Sequence, residues 1–331
     1  MVNKLVKKIF IILLLVVTSL SMLGCNKEQD NIKIYAPDGA PALALANSMA
    51  QNFKGVEYNI IDSAVSANIG SFVTGKNPLA DICILPINIA SNMLGSGEEY
   101  KMLGTITHGN FYFLSTNNTQ ITVENLSNLV GKKVGVMQLN NVPGQALKII
   151  LNEKSIPYTE NSNTQNDNAI NLVGISKSEV IVGNYDYFLI PSPLADVKAN
   201  TTSLNIVGSL QGLYGEGGFP QAVVVCKNKL LNNNLTFVKK FCNALKDSNN
   251  FLIEENIESI CSLIESNLPK DTNPTFTKNN LTIDIINNSS INFIASKDCK
   301  QEVVDFSIKL NIITNGSSKI IEENFFYMGE L

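Results

Sequence analysis

Two loop-like stretches carry residues whose types and spacing could bind a small molecule. The first, "APDGAP" at 36–41, lies between a short apolar run and a long helix-like run, and the second is "QLNNVPGQ" at 138–145. Each combines polar side chains with a proline placed for a first helical turn. Free N–H groups at the start of a helix bind polar or anionic ligand atoms. The two stretches therefore predict the two sides of a binding cleft; the alternative is that both are structural turns.

Residues suited to catalysis or metal binding are sparse in this chain. His108 is the one histidine, and the five cysteines after Cys25 form no C-x-x-C pair, so we predict no metal site. Cys83 and Cys226 fall within strand-like apolar runs, which predicts buried side chains rather than reactive thiols. We find no nucleophile–base triad and no paired carboxylates within one motif, and therefore predict neither enzymatic activity nor a cofactor.

The charge pattern argues against a nucleic-acid surface. The 331-residue chain has a formal net charge of −4 and scattered lysines, whereas proteins that bind polyanions cluster positive charge. All 25 cationic side chains are lysines. The bidentate guanidinium that commonly binds sulfonate, phosphate or carboxylate is therefore absent. This composition favours a neutral or weakly basic ligand over a strong anion.

The N-terminus has the pattern of an export signal. Three lysines within the first eight residues precede an apolar block at 9–17. The apolar stretch is shorter than the roughly 20 residues of a membrane-spanning helix. The segment "SMLGC" at 21–25 resembles a bacterial lipobox, although Met22 and Leu23 depart from the usual pattern. We therefore predict a signal peptide at 1–24, diacylation of Cys25, a polar tether at 25–30, and anchoring to the outer face of the membrane.

Short apolar runs alternate with helix-like patterns through most of the chain. The segments "IKIYAP", "VEYNIID", "ADICILP", "KVGVM" and "LNIVGSL" predict strands, and "APALALANSMAQNF", "ANIGSFVTGK", "NIASNMLGSG", "TVENLSNLVG" and "NNVPGQALKIILNEKSI" predict helices. The segment "YKMLGTITHGNFYFLST" predicts two extended segments paired with each other. From Leu230 onward the pattern is mostly helical, with a loop that contains Pro269 and Pro274. This rhythm, which runs twice, predicts two α/β units with open, mostly parallel sheets and helices on both faces.

The order of several blocks is similar to that in the substrate-binding proteins of ABC importers. These blocks are "APDGAPALALA", "GKNPLADICILPINIASNMLGSG", "NLVGKKVGVMQLNNVPGQALKIIL", "YDYFLIPSPLADV" and "GGFPQAVVVCKNKLLNNNLTFVKKF". Within that family they resemble the branch that includes nitrate-, sulfonate- and taurine-binding proteins and the binders of thiamine-pyrimidine precursors. The resemblance implies the two-lobe type II periplasmic-binding-protein fold, with lobe I at 31–112 and 216–331 and lobe II at 113–215.

The resemblance also implies a function and partners. It implies an extracytoplasmic monomer that captures a vitamin-precursor heterocycle or a sulfonate-type compound between its lobes. The ligand then passes to a membrane permease and its ATPase. Two alternatives remain: a ligand sensor on the same fold, and an enzyme similar to the pyrimidine synthase and menaquinone-pathway enzymes that share it. Those enzymes are intracellular, whereas this chain carries the pattern of an export signal.

Candidate ligand contacts follow from the position of residues relative to strand ends. In open α/β sheets, ligands bind where strands end and helices begin. Amides, hydroxyls and aromatic rings dominate the selection, as expected for a small neutral ligand, and one acid in it leaves room for an amine-bearing ligand. The candidates are Asp38, Gly39, Ala40, Pro41, Ser63, Pro86, Asn88, His108, Asn110, Gln138, Asn140, Asn141, Tyr187, Pro191, Ser192, Tyr214, Phe219 and Gln221.

Overall fold

Two six-stranded sheets with helices on both faces form the α/β fold that the sequence predicts. The computed structural model describes residues 31–161 and 164–331, so the predicted signal peptide, Cys25 and the tether lie outside the described residues. Within the described ranges, no helix is both long enough and apolar enough to cross a membrane.

The strands of the described residues are short, and those at the centre of the first sheet are strongly apolar. Strands buried on both faces are expected to be almost continuously apolar, and the "ICILP" and "AVVVC" segments fit that rule. The strands are β1 (Ile32–Pro37), β2 (Val56–Ile61), β3 (Ile82–Pro86), β4 (Tyr100–Thr107), β5 (Phe111–Ser115), β6 (Lys133–Met137), β7 (Tyr158–Glu160), β8 (Ile170–Ile175), β9 (Tyr187–Pro191), β10 (Asn205–Ser209), β11 (Ala222–Lys227) and β12 (Ile291–Ala295).

The helices connect and cover these strands. The α-helices are α1 (Ala40–Ala50), α2 (Ile87–Leu94), α3 (Val142–Glu153), α4 (Leu194–Thr201), α5 (Leu210–Tyr214), α6 (Asn228–Asn233), α7 (Leu235–Lys246), α8 (Ser248–Glu254), α9 (Ile257–Glu265), α10 (Ile283–Asn288) and α11 (Ser296–Ile313). Short 3-10 helices span Ser63–Phe72, Leu126–Leu129, Lys177–Glu179 and Glu323–Phe325.

Both sheets are mixed. The first has the strand order β12-β4-β11-β3-β1-β2, and the second has the order β10-β5-β9-β6-β8-β7. Parallel pairs join β2, β1 and β3 in the first sheet and β9, β6, β8 and β7 in the second. Antiparallel pairs complete each sheet on the other side. The predicted strands β1, β2, β3 and β6 pair in parallel, whereas the predicted strand β10 is antiparallel to β5. The sequence patterns do not predict the parallel strands β7 and β8 or the antiparallel strand β12, and β12 corrects the prediction that the chain from Leu230 onward is mostly helical.

The structure differs from the sequence prediction in the pairing of β4 and β5. The prediction that they pair with each other is wrong, because β4 pairs with β11 and β12 while β5 pairs with β9 and β10. The intervening residues His108–Asn110 carry the chain from the first sheet to the second. Gly109 has a φ of 101° at this change of direction. Two consecutive extended segments with a glycine between them are therefore a crossover and not a hairpin.

Two predicted α-helices are 3-10 helices instead. One spans Ser63–Phe72, where valine, asparagine and glycine lower the helix propensity. The other, Leu126–Leu129, follows a turn in which the Asn125 side chain accepts the Thr122 N–H at 2.8 Å and donates to the Gln120 oxygen at 2.8 Å. Such local side-chain bonds compete with helical ones, which explains why Thr122 does not begin an α-helix.

A second crossover returns the chain from α5 to β11 and lies beside the first. The Phe219 N–H donates to the His108 oxygen at 3.2 Å, and the Gln221 N–H donates to the Thr107 oxygen at 3.0 Å. Gly218 makes this close approach feasible. A Cβ atom there would lie 2.0 Å from the His108 oxygen, and the φ of Gly218 is +79°. The two connections between the sheets are therefore one hydrogen-bonded unit.

Replacement of Gly218 tests how tightly the two crossovers are packed. We expect Gly218→Ala to destabilise the protein by about 2–5 kcal/mol, because backbone strain and a steric clash add. The matched control is Gly217→Ala, since Gly217 has a similar φ of +84° but nothing within 4 Å of an added Cβ. That change should cost about 1–2 kcal/mol. Urea unfolding measures both, and equal losses would contradict the described packing.

Candidate functional site

A cavity of about 430 Å³ lies where strand ends of both sheets converge beside the crossovers. Residues that follow β1, β2 and β3 supply one side, and residues that follow β6 and β9 supply the other. Most of the candidate contacts lie in its lining. They are Asp38, Gly39, Ala40, Pro41, Ser63, Pro86, Asn88, Asn110, Gln138, Asn141, Pro191, Ser192 and Gln221.

Three helices begin at the wall of this cavity. The N-cap residues of α1, α2 and α3 are Gly39, Pro86 and Asn141, and none of them makes a side-chain capping hydrogen bond. The Asp38 carboxylate accepts the Gly39 N–H beside the start of α1, and the Asn88 Oδ1 atom accepts the Ile89 N–H in the first turn of α2. Among the described residues, no side chain accepts an N–H at the start of α3, whose partial positive charge faces the cavity. Ligand atoms that accept hydrogen bonds are stabilised at such positions.

The second side of the cavity depends on a compact turn between β6 and α3. Gln138 lines the cavity and has a φ of 59°, which is uncommon for a residue other than glycine. Gly144 lies in the first turn of α3, where a Cβ atom would come 2.0 Å from the Leu139 oxygen. The glycine lets the turn fold back on the helix start. The positions of Gln138 and Asn141 follow from that packing.

Asp38 is the one charged side chain among the described residues that line the cavity. The side chain is 7% exposed. Its Oδ1 atom accepts the Gly39 N–H at 2.8 Å, and its Oδ2 atom accepts the Thr275 N–H at 2.7 Å. The carboxylate therefore joins the start of α1 to a distant loop. Its two oxygens already have donors, which reduces its capacity to balance a cationic ligand.

Five candidate residues lie outside this cavity. Phe219 is fully buried and packs on Tyr214 and Phe306, with ring centroids 5.6 and 5.9 Å away. Tyr187 is at the opposite end of β9 from Pro191. The Asn140 side chain is exposed and does not line the cavity. His108, the first residue of the first crossover, is buried. Its Nε2 atom lies 3.0 Å from the Asn292 oxygen, and burial lowers the pKa of its imidazole.

Several lining residues were not among the candidates. Thr107 is the last residue of β4, so the strand-end rule could have found it. Phe111 and Ala222 begin strands, a position that the rule does not select. Thr275 comes from the loop with Pro269 and Pro274, which has no strand nearby in sequence. The remaining ones, Pro37, Ile89, Val142 and Pro143, adjoin candidates in sequence.

The thiols have no role in this cavity. Cys83, Cys226, Cys242, Cys261 and Cys299 are buried and unpaired, and none of them lines it. Burial raises the pKa of Cys242 to about 12 and raises the pKa of the other four thiols as well. The prediction that Cys83 and Cys226 are buried in strands is confirmed. In the described ranges, no group of three or more His, Cys, Asp or Glu residues could hold a metal ion.

Solved structures with the same architecture include transport proteins. An ABC transporter structure from Parabacteroides distasonis covers 90% of this chain and 99% of its own, with 17% identity and a TM-score of 0.65. The periplasmic aliphatic sulphonate binding protein SsuA from Escherichia coli covers 91% and 95%, with 11% identity and a TM-score of 0.59. This chain has the fold of ABC-import binding proteins. Neither a family model nor a curated protein sequence matches it.

The same fold also occurs in an enzyme. The desulfurization enzyme DszB covers 89% of this chain and 96% of its own, with 12% identity and a TM-score of 0.54. A shared fold does not establish a shared function. The binding-protein fold therefore needs support from the residues of the cavity before a function is assigned.

The Asp38 carboxylate provides a test of how the first side of the cavity is held. We expect Asp38→Asn to destabilise the protein by about 1.5–3 kcal/mol. The asparagine oxygen can still accept one of the two backbone N–H groups, but the NH₂ group faces the other N–H, and two donors cannot form a hydrogen bond. Asp167→Asn is the control, since Asp167 is exposed, and should change stability by less than about 0.5 kcal/mol. Urea unfolding gives both values. An Asp38→Asn loss no larger than the control would contradict the structural role.

Proposed function

We propose that this chain is the extracytoplasmic substrate-binding protein of an ABC importer. It captures a small molecule in the cavity and delivers it to a membrane permease and its ATPase. The observation that carries the proposal is the cavity itself, which takes its walls from strand ends of both sheets and lies against the crossovers that join them. Ligands of open α/β sheets bind at such strand ends.

The proposed mechanism is closure of two lobes about the crossovers. Each sheet with its helices forms one lobe, and β5 of the second sheet begins at Phe111. We therefore place the first lobe boundary at His108–Asn110 and the second at Gly215–Gln221. A ligand that contacts both walls binds the closed arrangement more tightly than the open one and so shifts the equilibrium toward closure.

The lining favours binding over catalysis. Among the described residues, it includes no cysteine, histidine or lysine that could act as nucleophile or base. Its carboxylate, Asp38, already accepts two backbone N–H groups. A ligand sensor on the same scaffold would share this lining and differ in its partner.

The proposed ligand is a neutral or weakly basic small molecule, such as a vitamin-precursor heterocycle. The lining has many amides and hydroxyls and no lysine among its described residues. A sulfonate is the second candidate, because the starts of α2 and α3 have no acidic residue in their first turns and can bind anionic oxygens. Diacylation of Cys25 would hold the protein at the outer face of the membrane as a monomer.

Thermal melting of residues 26–331 against a panel of ligands tests the function. The panel contains pyrimidines and other vitamin precursors, sulfonates, nitrate, taurine and amino acids. A ligand at about 100 times its dissociation constant should stabilise the protein by roughly 2.7 kcal/mol. A shift with one chemical class is the expected result, whereas no shift with any class would contradict the proposal.

A pair of adjacent substitutions shows whether the shift arises in this cavity. Asn140 and Asn141 are both exposed, but only Asn141 lines the cavity. We expect Asn141→Trp to abolish the ligand-induced shift by filling the cleft, and Asn140→Trp to retain it. Both variants should melt like the wild type without ligand. Equal effects of the two changes on the shift would place the binding site elsewhere.

A further inference from the structure

Three polar residues that line the cavity lie on or directly beside the two crossovers. Thr107 ends β4, Asn110 lies in the first crossover, and Gln221 ends the second, directly before β11. The Gln221 N–H donates to the Thr107 oxygen at 3.0 Å, which fixes the two backbones beside each other. All three residues line the cavity, and we call them the cavity floor.

The side chains of the cavity floor are poorly hydrogen-bonded for their burial. Thr107 is 2% exposed, and its hydroxyl makes no hydrogen bond with a described residue. Asn110 is 7% exposed, and its amide contacts the Ser192 oxygen and the Gln221 amide at 3.4 and 3.5 Å, near the limit for a hydrogen bond. The Gln221 Oε1 atom is buried without a partner among the described residues.

Buried polar groups in folded proteins are nearly always paired, and the Gln221 Oε1 atom is a buried acceptor in the lining without a partner among the described residues, which a ligand donor could supply. A carboxamide presents a donor and an acceptor side by side, and its 180° rotation exchanges them. A hydroxyl can donate or accept. The cavity floor can therefore bind an edge that contains both a donor and an acceptor.

The remaining lining indicates that this edge belongs to a neutral ring. Five prolines and Phe111 line the cavity and offer flat apolar surfaces. Among the described lining residues, no side chain is cationic, and each Asp38 oxygen already accepts one backbone N–H. The starts of α1 and α3 can receive a further acceptor atom of the ring.

We propose that Thr107, Asn110 and Gln221 determine ligand specificity by binding a neutral lactam- or aminopyrimidine-type edge with adjacent donor and acceptor atoms. Asparagine and glutamine pair in this bidentate way with the edge of adenine. A site built to hydrogen-bond a donor strongly rejects an analogue that lacks it. This inference rests on the proposed function, since it takes the cavity as the ligand site.

Matched probe pairs test the inference by calorimetry. Cytosine is compared with 1,N4,N4-trimethylcytosine and uracil with 1,3-dimethyluracil, because these methylations remove every N–H donor and keep the ring. Ethanesulfonate and taurine are the anionic probes. We expect an unmethylated ring to bind at least tenfold more tightly than its methylated partner.

Substitutions in the cavity floor provide a second test of the inference. Thr107→Val and Gln221→Leu should each weaken binding of the preferred ring at least tenfold. The controls Thr201→Val and Gln51→Leu alter exposed residues outside the cavity and should leave the affinity unchanged. Without ligand, Thr107→Val should melt at the same temperature as the wild type or higher, because it removes an unpaired hydroxyl.

The outcomes separate the two proposals. Sulfonate binding with unchanged affinity in Thr107→Val and Gln221→Leu would retain the proposed function and overturn this inference. Equal affinity for methylated and unmethylated rings would also overturn it. A lower melting temperature of ligand-free Thr107→Val would show that the hydroxyl serves the fold instead. No binding by either probe class would overturn this inference, whereas the wider thermal-melting panel decides the proposed function.

Discussion

The close pairing of the two crossovers is the constraint on which the rest of the structure depends. Two backbone hydrogen bonds, Phe219 N–H to the His108 oxygen and Gln221 N–H to the Thr107 oxygen, hold the crossovers together. They form because Gly218 leaves no Cβ atom between the chains. This pairing brings strand ends of both sheets to one space and places Thr107 and Gln221 in its wall. On the other side of the crossover, the Phe219 ring packs on Phe306.

In the proposed function, the cavity selects its ligand through hydrogen bonds and shape more than through charge. The chain has no arginine, and the described lining has no lysine. The Asp38 carboxylate is used internally, because it fixes the loop at Thr275 to the start of α1. The partial charges at the starts of α2 and α3 and the neutral amides remain to contact a ligand. These groups are not neutralised by an opposite charge. The affinity for a ligand therefore depends on how many of them form hydrogen bonds with it.

The sequence predicts the parts of this design that are local. Strand ends and helix starts are readable from apolar patterns and prolines, so Pro41 and Asn141 are found without a structure. Thr275 is not, because its approach to Asp38 depends on chain folding across more than 200 residues. Phe219 and Tyr214 show a second limit of sequence-based prediction. The sequence around an aromatic residue beside a glycine-rich segment looks the same whether its ring packs in the core or lines a cleft. The pairing of β4 and β5 fails for a related reason, since adjacency in sequence does not reveal a change of sheet.

Ligand-induced closure about the crossovers is the central claim, and the distance between the two walls measures it directly. Lys76 and Lys177 are exposed; Lys76 lies in the loop before β3 of the first sheet, and Lys177 follows β8 of the second sheet. Spin labels attached to Lys76→Cys and Lys177→Cys allow the distance to be measured by pulsed electron paramagnetic resonance. The native cysteines 83, 226, 242, 261 and 299 are buried, so labelling is expected at the two introduced thiols. With a ligand that stabilises the protein, we expect a shorter and narrower distance distribution. An unchanged distribution at ligand saturation would contradict closure.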